Sequence, residues 1–281
     1  MFTTLISIQQ LSSEIASGGN DLVVLDCRFN LMNPAQGEQL YLEGHIPGAV
    51  YIDLDRDLSS PITDQTGRHP LPDYDHLAER LRQSGVSSDS QVVVYDDCAG
   101  AMAGRAWWLL KVLGHTAVAV LDGGYPAWHA AALSVTAEPG SVVLGNFSAN
   151  IDNSMIVTVS EIESDDQGKQ LIDARTVERF RGEQEPIDPV AGHIPGAINR
   201  PLQLNLTEAG LFKSAAQLKH EWQALLAGRN PDQIIHYCGS GVTACHNYLA
   251  MEIAGLSGSQ IYAGSWSEWI RDPKRTIAAN H

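Results

Sequence analysis

Short runs of β-branched and aliphatic residues recur along the chain, and stretches with helical spacing of apolar residues separate them. DLVVLDC (21–27), QVVVYD (91–96) and AVAVLDG (117–123) lie in the first half, and QLIDA (170–174), QIIHYC (233–238) and QIYAG (260–264) in the second. Runs this short, apolar at consecutive positions, predict parallel strands buried on both faces. Between them Leu218, Trp222, Leu225 and Leu226 recur at i, i+4, i+7 and i+8, and Leu77 and Leu81 sit four apart, which predicts helices with one apolar face. Strands alternating with helices give an α/β fold in which a parallel sheet is covered on both faces.

The pattern occurs twice. LDCR (Leu25 to Arg28) matches IDAR (Ile172 to Arg175), and GHIPGA begins at Gly44 and again at Gly192. VVVYD ending at Asp96 matches IIHYC ending at Cys238, and LDGGYPAW ending at Trp128 matches YAGSWSEW ending at Trp269. Four segments in the same order mean a duplicated domain, because the roughly 20 to 50 residue periods of solenoids are far shorter than this spacing. The expected division is a first domain over 1–138, a linker over 139–154 with no periodicity, and a second domain over 155–281.

The second copy carries a chemical signal. After the strand QIIHY come Cys238, Gly239, Ser240, Gly241, Val242 and Thr243, then the helical pattern of CHNYLAMEIAG. A cysteine at the carboxyl end of a parallel strand stands at the edge where ligands bind, and the glycines let successive N–H groups curl inward around an anion. The positive end of the following helix favours a thiolate. Cys238 is therefore the expected nucleophile.

GHIPGA, CGSGVTA and YAGSWSEW resemble the signature segments of tandem rhodanese-domain sulfurtransferases, and they span nearly the whole chain. The resemblance implies two rhodanese-like domains, the first catalytically silent with Asp96 in the slot that Cys238 fills in the second. It also implies a cycle in which Cys238 takes sulfur from 3-mercaptopyruvate or thiosulfate as a persulfide and passes it to cyanide or to a thiol, such as that of a thioredoxin-like protein. No cofactor and no metal is expected. The loop is similar to that of the 3-mercaptopyruvate branch, whereas thiosulfate enzymes usually place basic residues inside it. Arg179 matches the family's substrate arginine, and its planar fork suits a carboxylate. Gly239, Ser240, Gly241, Val242 and Thr243 complete the expected donor site. One departure stands out: mercaptopyruvate enzymes commonly carry a second arginine just after this segment's Glu-Pro, but here Glu185-Pro186 is followed by Ile187 and Asp188. Arg181 is the candidate substitute. His45 is a further candidate, because the family's cleft lies between domains, whereas its twin His193 is expected to brace a turn.

Composition narrows the setting. Of the 281 residues 44% are hydrophobic and 18% charged, and no apolar run approaches the ~20 residues of a membrane span. A net charge of −15 disfavours nucleic acid and acidic membrane surfaces. The first residues lack a basic start and a cleavage site, so the protein is expected in the cytoplasm. Cys27, Cys98, Cys238 and Cys245 form no CxxC pair and no zinc-ligand spacing, so they are read as reduced thiols, with Cys27, Cys98 and Cys245 as packing residues. Trp107 and Trp108 are expected in core or interdomain packing, and the tail is expected to be exposed. Two other readings use the same loop. A cysteine phosphatase needs an arginine where Ala244 stands, and a non-catalytic anion-binding module would turn over no donor.

Overall fold

The computed structural model describes residues 1–18, 21–165 and 168–279. They form two compact units. The first comprises Met1–Ser60, Pro72–Asp152 and Ala209–Leu211; the second comprises Pro61–Leu71, Asn153–Glu208 and Phe212–His281. A segment from the first half of the sequence, Pro61–Leu71, thus packs as part of the second unit.

In the first unit the elements run β1 (Leu5–Ile6), α1 (Ile8–Ser17), β2 (Leu22–Asp26), α2 (Gln36–Glu43), β3 (Val50–Tyr51), α3 (Tyr74–Gln83), β4 (Gln91–Tyr95), α4 (Ala103–Val112), β5 (Val118–Leu121) and α5 (Gly124–Ala130). The second repeats the alternation with β6 (Ile156–Val157), α6 (Val159–Glu163), β7 (Gln170–Asp173), α7 (Val177–Arg181), β8 (Ile198–Asn199), α8 (Ala215–Leu226), β9 (Ile234–Tyr237), α9 (Ala244–Ile253), β10 (Gln260–Tyr262) and α10 (Ser265–Trp269). The sheets are ordered β1-β5-β4-β2-β3 and β6-β10-β9-β7-β8, all pairs parallel. Each is the same five-stranded arrangement, the pair of α/β domains that the repeat predicts. The middle strands, β4 and β9, are the ones that lead directly into Asp96 and Cys238.

The duplicated segments have a common physical reason: they clasp one another. Arg28 forks onto Asp26 and donates to the Gly44 carbonyl, while Tyr95 donates its hydroxyl to Asp26 at 2.5 Å and accepts the Ile46 N–H. Arg175 forks onto Asp173 and donates to the Gly192 carbonyl, and the Tyr237 hydroxyl accepts the Ile194 N–H. Both Asp/Arg pairs are buried, so each charge is tolerable only because the other satisfies it. LDCR, GHIPGA and VVVYD therefore recur together as parts of one device.

Packing accounts for most of the remaining signal. Trp107 and Trp108 lie in the core of the first unit, and the Trp107 indole donates to the Thr3 and Val118 carbonyls. Leu218, Trp222 and Leu226 form the buried stripe of α8, which starts at a Ser214–Gln217 capping box. The stretch 139–152 forms no regular element but runs along the first unit, with Gly145, Phe147 and Asp152 donating N–H groups to Arg82, Val86 and Val112. No helix of the described residues is long and apolar enough to cross a membrane.

Candidate active site

Cys238 follows β9 at the carboxyl edge of the second sheet and is 2% exposed. The loop turns over Gly241, whose φ of +77° and lack of a side chain are both required, since a Cβ there would lie 2.2 Å from the Ala263 carbonyl oxygen. The curl brings the Gly241 N–H to the Cys238 Sγ at 3.2 Å. Helix α9 then starts at Ala244, placing its positive end beside the loop.

The first unit holds a natural control. At the same place after β4 stands Asp96, and its carboxylate accepts four backbone N–H groups at 2.8 to 3.0 Å, from Cys98, Gly100, Met102 and Ala103. The loop is thus an anion cradle in which the first unit has installed its own anion. In the second unit a single sulfur takes the place of the two carboxylate oxygens.

Two guanidinium groups crowd the open side of Gly239. A Cβ on that glycine would lie 2.9 Å from Arg68 Nη2 and 3.3 Å from Arg179 Nη2. Arg179, on α7, is steadied by Glu185, which also accepts from Arg175 and from the N–H groups of Ile187 and Asp188. Arg68 comes from the Pro61–Leu71 segment, its N–H donating to Ser267 Oγ at 3.0 Å. Asp188 joins the two arginines, accepting from Arg68 and, at 3.1 Å, from Arg179. Burial pushes the Asp188 carboxyl up, with the Arg68 charge pulling it back and Glu185 adding to the rise. Burial opposes the charge of Glu185 too, but bonds from Arg179 and from two N–H groups hold it below the usual carboxylate range. Next to Arg68, His69 Nδ1 lies 2.7 Å from Ser240 Oγ.

Of the residues singled out in the sequence, Cys238, Gly239, Ser240, Gly241, Val242, Thr243 and Arg179 are gathered at this loop. Arg181 is not: its side chain is half exposed and 3.7 Å from Glu183. His45 is buried in the first unit, stacked on Tyr41 with Nδ1 2.8 Å from the Tyr41 carbonyl, as His193 stacks on Phe180 and bonds its carbonyl in the second. Arg68, His69, Asp188 and Ser265 were not found from the sequence. The one signal was the departure after Glu185-Pro186, where the family resemblance implies a second arginine and the sequence has Ile187 and Asp188.

The other thiols lie elsewhere in the fold. Cys27 is buried beside Asp26, and desolvation pushes its pKa well up. Cys98 is exposed as a residue, yet packing around its thiol, then the Asp96 and Asp97 carboxylates, raise its pKa too. Cys245 is buried on α9 and donates to the Gly241 carbonyl at 3.4 Å.

Behind the loop, the Cys238 N–H donates to Ser265 Oγ at 3.1 Å, and the Ser265 hydroxyl donates to the Tyr262 carbonyl at 2.9 Å. Ser265 has a φ of +55°, a left-handed conformation that costs a non-glycine residue about 1–2 kcal/mol. Its counterpart in the first unit is Gly124, at +56°.

The chain is similar to known proteins over nearly its whole length. The model of the rhodanese-like domain matches residues 7–131 and again 158–272. The chain is 50% identical to the "Probable 3-mercaptopyruvate sulfurtransferase" of Pseudomonas aeruginosa over 278 residues, covering 98% of this chain and 97% of that protein. It is 35% identical to the thiosulfate sulfurtransferase of Rattus norvegicus over 285 residues, covering 96% and 93%. The crystal structure of SseA from Escherichia coli, described as a 3-mercaptopyruvate sulfotransferase, is 32% identical and superposes with a TM-score of 0.79, covering 95% of this chain and all of that one. With two matches to one domain model, two sheets of one topology and these relatives across its length, the chain belongs to the family of tandem rhodanese-like sulfurtransferases.

Proposed function

We propose that Cys238 is the sulfur carrier of this sulfurtransferase and that 3-mercaptopyruvate is its preferred donor. The observation that carries the reading is the cradle itself. The first unit fills it with the Asp96 carboxylate, whereas the second offers it a nucleophilic sulfur with two arginines at its mouth. The Cys238 thiolate attacks the donor's sulfur, a sulfur–sulfur bond forms, and the carbon–sulfur bond breaks with its electron pair left on carbon. The donor's thiol proton ends on that carbon, giving pyruvate, and His69 with Ser240 is placed to carry it. The resulting persulfide anion lies where backbone N–H groups stabilise negative charge. A thiolate acceptor then attacks the outer sulfur and returns Cys238 as thiolate.

Arg179 and Arg68 are assigned to the donor's carboxylate, with Asp188 holding both forks in position. Thiosulfate is the second reading, favoured by Arg68, which brings to the loop a cation that the loop's own sequence lacks. For acceptors, a thioredoxin-like dithiol in the cytoplasm suits four cysteines that form no disulfide.

Steady-state kinetics with both donors, each with cyanide and with a reduced dithiol, test the assignment. Cys238→Ser should abolish transfer, an alcohol being a far weaker nucleophile near neutral pH, and donor treatment should add one sulfur atom to the Cys238 peptide. A sulfur mapped to Cys98 or Cys27 would refute Cys238 as carrier, and a kcat/KM for thiosulfate equal to or above that for mercaptopyruvate would move the donor to thiosulfate.

A further inference from the structure

We infer that Ser265 is a positioning residue for Cys238, holding the nucleophile's backbone from behind so that its sulfur faces the cradle. The inference rests on Cys238 being the sulfur carrier. Its support is the comparison that the molecule makes with itself. The two units share the left-handed turn into α5 and α10, and in both the next residue grips the strand end: the Tyr125 N–H donates to the Asp96 carbonyl at 2.8 Å and the Trp266 N–H to the Cys238 carbonyl at 3.0 Å. At the turn itself the first unit uses glycine, and a Cβ there would meet the Asp96 carbonyl oxygen at 2.3 Å. The second unit has made room for a side chain in the same backbone conformation, one that glycine adopts freely and serine does not.

What the serine adds is one oriented acceptor. Its proton is committed to the Tyr262 carbonyl, so its oxygen presents a lone pair to the Cys238 N–H. Cys238 is thereby held at both backbone polar groups by consecutive residues, and Ser267 adds a bond from its N–H to the Gly239 carbonyl at 2.9 Å. Asp96 needs no such help, because four N–H bonds already orient its carboxylate. Among the described residues the Cys238 sulfur has one, from Gly241. The grip missing at the sulfur is supplied at the backbone.

The test replaces Ser265 by the residue that its twin carries. Ser265→Gly removes the hydroxyl and the left-handed strain together, while Ser265→Ala removes the hydroxyl and keeps the strain. Three quantities are measured for each: the thermal midpoint, the alkylation rate of Cys238 against pH by peptide mass spectrometry, and single-turnover loading of sulfur from the donor. Ser265→Gly should keep its thermal midpoint at or above that of the parent, yet alkylate and load about two- to tenfold more slowly, the scale of one neutral hydrogen bond, with the alkylation midpoint moved to higher pH. Ser265→Ala should show the same slowing with a lower thermal midpoint. If Ser265→Gly alkylates and loads at the parental rates, the inference is overturned. If the parent loads no sulfur on Cys238 while alkylation still slows in Ser265→Gly, the positioning role stands and the sulfur-carrier reading falls.

Discussion

Gly241 stands between two sulfurs: its N–H points to Cys238 Sγ, while its carbonyl accepts the thiol of Cys245. A disulfide between the two would require both sulfurs to leave the backbone groups of that one residue and converge to about 2.05 Å. Mild peroxide should therefore leave Cys238 as a sulfenic acid, reversible by small thiols, and yield no linked Cys238–Cys245 peptide. Non-reducing peptide mapping of the inactivated enzyme checks this, and a linked peptide would instead make Cys245 a redox partner of the loop. At this scale the places of Cys238 and Arg179 beside the loop were legible, the first because a strand end, a glycine loop and a family segment converge on it, the second from a family segment alone. Arg68 and His69 were not, since GRHPLP sits in the first half of the sequence and no periodicity says which unit it joins. Ser265 was hidden for another reason: a positive φ on serine leaves no mark in the residue pattern.

Strand β9 was the most legible element, and it also carries an internal contradiction. His236 lies fully buried within it, edge-on to Trp222 and Tyr248, and among the described residues neither ring nitrogen has a hydrogen-bond partner. Burial, with the Arg200 charge adding to it, pushes its pKa down to about 3. Because an unfolded histidine titrates near ~6.5, the unfolded chain binds the extra proton between these two values. Stability from this residue is therefore fully present above about pH 6.5 and declines as pH falls toward 3, with a slope of up to about 1.4 kcal/mol per pH unit. His236→Phe keeps an aromatic ring against Trp222 without the titrating nitrogens. It should flatten the acid limb of urea-unfolding free energy measured from pH 7 to 4.5, and an unchanged slope would show that the ring is protonated in place. An apolar run predicts the strand, but the same run reads His236 as a polar interruption, since the pattern reports average burial and not the environment of one ring.

The repeat made the two-domain architecture legible, because six identical residues at Gly44 and Gly192 fix the register of the copies. Sequence similarity, however, assigns each segment to the copy in which it is written, whereas packing assigns Pro61–Leu71 to the second unit and Ala209–Leu211 to the first. That exchange has a consequence for the isolated second half. A chain of residues 155–281 keeps Cys238, its loop, Arg179 and Asp188 but loses Arg68, His69 and the Thr66 carbonyl that accepts from Arg271 at 3.0 Å. Asp188, its side chain 2% exposed, would then face Arg179 alone, and Ser240 would lose its histidine. Removing one charge-assisted partner costs about 1.5–3 kcal/mol, so kcat/KM for the donor should fall by about ten- to a hundredfold even where circular dichroism shows the fragment folded. The full-length double variant Arg68→Ala/His69→Ala serves as the control for folding. With both units intact it should show the fragment's loss in kcat/KM, and Arg68→Ala alone should account for the part that raises KM. A fragment that matches the full-length chain, or a double variant that turns over donor at the parental rate, would place the donor site in the second half of the sequence alone and remove the Pro61–Leu71 segment from it.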